Sequence, residues 1–143
     1  MRQDLENLLN VLLPAAIDSL KKHGEFFPIA AELEGEEATL QTTMPNEKFP
    51  TPADIIGVLR RAYVERLELN DRESDTLTAC GICYLGTIED ATTGKPSDAI
   101  VVDLECPAES ARVALPYRKR MLFGYAFGDL ARLPMQPTIF AAS

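Results

Sequence analysis

Helical periodicity is confined to two stretches of the chain, residues 3–23 and 51–67. From Leu77 onward the pattern is that of β-strands, with a period of two. The predicted order is α-β-β-α-β-β-β-(β). It contains few alternating βαβ units and argues for an α+β domain: an antiparallel sheet of about five to six strands with two helices packed on one face. The other sheet face is then expected to be solvated or covered by a partner. The 143 residues suit one domain. We read it as residues 1–128, followed by an extended tail, 129–143, which carries Pro134 and Pro137 and has no periodicity.

Local signals place the elements. Leu5, Leu8, Leu9, Leu12, Ala16 and Leu20 form one apolar helical stripe. Pro14 interrupts it and is expected to kink the helix or divide it in two. Lys21, Lys22 and His23 suit the negative end of the helix dipole, and Gly24 suits the left-handed position beyond it. A hairpin is predicted over Phe26–Leu33 and Ala38–Thr43, with Pro45–Pro50 as a loop. Phe26 and Phe27 then point to opposite sides, one under the first helix and the other to the second face or a partner. Thr51 is a capping residue, Pro52 fits the first helical position and Asp54 meets the positive helix end. Ile55, Leu59, Ala62, Tyr63 and Leu67 are the expected buried stripe. Strands follow at Leu77–Ile88, Asp98–Glu105, Ala111–Pro116 and Met121–Phe127.

Charge narrows the function classes. The chain has 14 Lys and Arg against 22 Asp and Glu, a net charge of −8. That disfavours non-specific nucleic-acid binding, which needs cations to displace phosphate counterions. No apolar run reaches the length of a membrane helix. Asp4, Glu6 and Asn7 break the positive segment a signal peptide needs, so a cytoplasmic protein is expected, with Cys80, Cys83 and Cys106 as reduced thiols. The charge is unevenly spread. Residues 1–48 hold four cations and nine acids, residues 49–106 five and eleven, and residues 107–143 five and two. The cationic end centres on Arg112, Arg118, Lys119 and Arg120.

Few residues have the spacing that bond-making chemistry demands. Cys80-Gly81-Ile82-Cys83 matches a redox motif but lies in a predicted strand, where an offset of three sends the thiols to opposite faces. His23 is the single histidine and has a role at the helix end, which excludes two-histidine mechanisms. Gly94-Lys95-Pro96 lacks the rest of a phosphate loop, and the Gly–aromatic run Phe123–Gly128 lacks the partner motif of an RNA-binding strand. Asp98, Asp103 and Glu105 share one strand, with Glu32 and Glu34 on another. Such acids can do acid–base chemistry or bind a cation if buried together, although alternation with Ile100, Val102 and Leu104 is also what a half-exposed strand shows. No catalytic, metal or cofactor residue is assigned.

The junction Lys21–Ala31 resembles small bacterial proteins in which a leading helix runs into an "hGeFyPfg" strand start and a late "LPYrkk" element follows; Leu115–Arg120 resembles that second element. The resemblance carries no activity with it. Such acidic proteins are similar in style to immunity or accessory proteins of bacterial toxin systems. The expected function is therefore non-enzymatic binding of another protein or of a second copy as a homodimer, with no membrane partner. Tyr117, Arg118, Arg120, Phe123 and Tyr125 are the expected contact residues, because aromatic and Arg groups make interface cores. The alternative is a small-molecule binder or hydrolase using Asp98, Asp103 or Glu105. A third reading, phosphate or nucleic-acid contact at Arg118–Arg120, would show salt-sensitive affinity.

Overall fold

Leu5, Leu8, Leu12, Ala16 and Leu20 are all buried on one stripe, and that stripe holds α1 (Gln3–His23) against the sheet. A computed structural model describes residues 1–41, 50–68, 77–122 and 124–140. α1 passes Pro14 without dividing, so of the two expected outcomes, a kink or a division in two, the division does not occur. Pro14 sits on the exposed side, where the carbonyl it leaves unpaired faces water. Gly24 ends the helix with φ 77°, its N–H donating to Leu20 O at 2.8 Å.

The strands are β1 (Ile29–Glu34), β2 (Glu37–Gln41), β3 (Leu77–Glu89), β4 (Pro96–Cys106), β5 (Glu109–Lys119), β6 (Tyr125–Phe127) and β7 (Ala131–Leu133), and α2 is Pro52–Glu68. They form one antiparallel-paired sheet in the order β2-β1-β3-β4-β5-β6, with β7 also on β5. The α+β class and the element order are as read from the sequence. β1 begins three residues later than expected, because Phe26–Pro28 lie outside it. The predicted loop at Pro45–Pro50 lies outside the described residues apart from Pro50.

One expectation is corrected: the two helices do not share a face. α1 packs on Ala31 and Leu33 of β1, Ala79 and Cys83 of β3, and Ile100, Val102 and Leu104 of β4. α2 packs through Ile55, Leu59 and Tyr63 on Ala30, Cys80 and Ile82, the alternate residues. Ala62, expected in that stripe, is exposed. The reason is topological. β2 and β3 both run antiparallel to β1 and flank it, so they are parallel to each other. α2 is thus the crossover of a β2–α2–β3 unit and lies over β1, while α1 takes the other face.

Residues 129–140 also differ from a simple tail. β7 pairs with β5, and Ile139 is buried in the α2 core. β6 and β7 follow each other along one edge of β5. Three steps on β5, from Tyr117 to Ala114, are matched by four on the other strand, from Phe127 to Ala131. The extra residue falls beside Gly128, whose N–H donates to Pro116 O at 2.8 Å.

Packing is close where α1 crosses β3. A Cβ on Gly81 would lie 2.8 Å from Leu12 Cδ1 and 2.9 Å from Leu104 Cδ2, both buried side chains. Gly81→Ala is therefore expected to destabilise the fold by about 1–3 kcal/mol through overpacking, read as a lowered urea midpoint with unchanged slope.

Candidate functional site

Three regions bring polar or exposed apolar groups together. The first is the sheet face under α2. A two-residue turn, Pro107-Ala108, pairs Cys106 with Glu109 and carries the register on to Asp103 opposite Arg112. Asp103 is 4% exposed. Its Oδ1 accepts from Arg112 Nε at 2.6 Å, and its Oδ2 from Arg112 Nη2 at 3.0 Å, Arg60 Nη2 at 2.9 Å and Tyr84 OH at 3.0 Å. Burial, then the Asp103 charge, push the Tyr84 phenol up to about 12. Glu105 is 2% exposed and accepts from the backbone N–H groups of Thr138, Ile139 and Phe140 and from Thr138 Oγ1. Glu32 and Glu34 both accept from Arg66.

These buried acids are the ones singled out in the sequence, and their setting is not a half-exposed strand. Because α2 and the 138–140 segment cover this face, Asp103 and Glu105 are buried; Asp98 is exposed and apart from them. Each buried carboxylate is taken up by intramolecular donors, so neither is poised to move a proton on a substrate. Arg60 Nε and Tyr63 OH are buried without a partner among the described residues. No group of three His, Cys, Asp or Glu among the described residues is placed to hold a metal ion. Cys80 faces α2 and Cys83 faces α1, the opposite-face placement expected from their spacing. Burial pushes both thiols up, and nearby acids add to it.

The second region is the β5–β6 hairpin. Tyr117, Tyr125 and Phe127 cluster on the α1 side, with Tyr117 and Tyr125 ring centroids 5.9 Å apart at 70°. Lys21 Nζ lies 5.9 Å from the Phe127 ring centroid. Tyr117 and Tyr125 are thus half-buried packing groups as well as candidate contacts. Burial and the nearby Asp98 raise the Tyr117 pKa. Arg118 and Arg120 are exposed, as are Lys119, Met121 and Leu122. Met121 and Leu122 were expected in a strand; they instead form the turn, closed by Arg120 N–H donating to Gly124 O at 3.1 Å, with Gly124 at φ 79°. Phe123, a predicted contact, lies outside the described residues. The periodicity missed the exposed Met121-Leu122 pair; Gly124, a residue able to take positive φ, was the available sign of a turn.

The third region is a cleft of about 430 Å³ between Ser19 and His23 of α1, the Glu25–Pro28 segment, Pro52 and Leu85. Phe27 is 54% exposed at its edge, having found neither sheet face. The side chains of His23 and Glu25 make no hydrogen bond with described residues.

Two measurements check this geometry. Asp103→Asn is expected to cost about 2–3 kcal/mol, since it weakens charged hydrogen bonds to two arginines that remain partly exposed. It should also lower the Tyr84 pKa while leaving it above that of an exposed phenol, because burial is its larger cause. Ultraviolet titration reads the second effect. Separately, unfolded thiols lose their protons near pH 9.0 while folded Cys80 and Cys83 keep theirs. The folded state then binds more protons, so stability is whole below that pH and falls above it. Urea midpoints measured from about pH 8 to about pH 11 should decline steadily.

Compared with protein-family models, curated proteins and solved structures, the chain matches none.

Proposed function

We propose that the chain is a non-enzymatic, cytoplasmic protein-binding domain whose contact surface is the tip of the β5–β6 hairpin. The observation that carries this reading is the pair Met121 and Leu122, which are 102% and 90% exposed. Large apolar side chains stripped of neighbours are what a partner covers. Arg118, Lys119 and Arg120 stand beside them, and none makes an ion pair with a described residue. Three unpaired cations on a chain of net charge −8 favour a partner surface that is acidic around an apolar spot. Tyr117 and Tyr125 stiffen the base of the hairpin by packing on α1, which lowers the ordering cost of binding there. The commitment of Asp103 and Glu105 to internal bonds supports binding over hydrolysis. Three buried, unpaired thiols are compatible with a reducing compartment. No described helix is long and apolar enough to cross a membrane.

Affinity capture from cell extract tests the reading when done with paired variants. An acidic protein held by the wild-type chain should be lost with Leu122→Ser and with Arg118→Glu/Arg120→Glu. Its retention on the wild type should weaken with salt. A chain that holds no protein, or one whose captured protein is retained by both variants, would exclude the hairpin as the contact.

A further inference from the structure

A second surface is filled by the chain itself. Residues 138–140 lie on the sheet face beside α2, and their polar anchorage comes down to one side chain. Glu105 accepts from the N–H groups of Thr138 at 2.8 Å, Ile139 at 2.9 Å and Phe140 at 3.3 Å, and from Thr138 Oγ1 at 2.7 Å. Ile139 is 7% exposed and packs in the cluster of Ala30, Ile55, Leu59, Tyr63, Cys80 and Ile82. The groove thus reads three successive amides, a hydroxyl and one β-branched side chain. All of these are local features of a short segment, and none depends on the chain that precedes it.

The link to that segment is weakly held. Residues 134–137 make no hydrogen bond with other described residues, and Pro134, Gln136 and Pro137 are exposed. Pro134 and Pro137 lack an N–H and push the residues before them toward extended backbone. Seven residue steps lead from Leu133, the end of β7, to Phe140, enough to span about 23–25 Å when extended. An extended link of that reach can deliver the segment to its own groove or to a neighbour's.

We propose that the groove between α2 and the sheet takes residues 138–140 of a second copy of this chain, so that two copies pair by exchanging these segments. Every bond made within one chain is remade between two, so the exchange adds no new interface and needs only an opened link. Within one chain the short link holds the segment at an effective concentration in the mM range, so the exchanged pair gains at high protein concentration.

Two full-length variants separate the groove from the segment. Ile139→Asp keeps a competent groove with a segment that cannot seat. Glu105→Gln keeps a competent segment with a weakened groove. Light scattering should find each alone as a monomer and their mixture as a 1:1 dimer. A peptide of residues 134–143 should bind the Ile139→Asp chain and lose about tenfold to a hundredfold in affinity for the Ile139→Asp/Glu105→Gln chain. A mixture that stays monomeric, or a peptide that binds both chains alike, would overturn the proposal. If Ile139→Asp does not hold its fold, wild-type chain refolded at high concentration decides: a dimer that survives dilution and is absent for Glu105→Gln supports the exchange, and monomer alone refutes it. Leu122→Ser should leave these results unchanged, which keeps this surface distinct from the hairpin.

Discussion

The ladder of ten paired positions between β3 and β4 is the constraint from which the rest of the molecule follows. Both strands are central, so their alternate residues meet two different layers. On one side lies the leucine stripe of α1, and Ala79, Cys83, Ile100, Val102 and Leu104 answer it with apolar surface alone. Gly81 lets that helix come close. On the other side the same strands carry Cys80, Ile82, Tyr84, Asp103 and Glu105, a mixed face that α2 and the 138–140 segment close.

Closing a face that holds acids creates a desolvation cost that only specific partners offset. Asp103 is met by two guanidinium groups and a phenol, drawn from β5, α2 and β3. That one carboxylate therefore ties three elements together. Glu105, one turn of the strand period away, is met by main-chain amides of the last described segment. The two acids are positioned alike and used differently: one joins secondary-structure elements and the other fixes a piece of chain that has none.

Much of this was legible in the sequence, and the misses have physical reasons. The bounds of α1 followed from leucine spacing and Gly24, and the start of α2 from Thr51 and Asp54, which cap each other's N–H groups. The α+β class followed from the element order. Helix placement did not, because a crossover that skips a strand leaves no mark in the local pattern; only the pairing of β1 with both β2 and β3 reveals it. That error carried over to the acids. A face taken as solvated makes Asp103 and Glu105 ordinary, whereas a covered face makes them the organising groups. The partner of Asp103 was in principle readable, since Asp103 and Arg112 lie equally far from the turn at Pro107-Ala108. Among the predicted contacts, Arg118 and Arg120 are exposed, Tyr117 and Tyr125 are half-buried against α1, and the exposed Met121-Leu122 pair was hidden by an assumed strand.

The sheet has two open margins. One is β2, five residues long, which starts at Glu37 directly after Glu36. The other is made of β6 and β7, three residues each, with the pleat interrupted by the extra residue at Gly128. Among the described residues, neither offers a long, regular row of unpaired amides and carbonyls for a neighbour to extend. Growth of this sheet from molecule to molecule is thereby discouraged at both ends, and association is left to surfaces that side chains define.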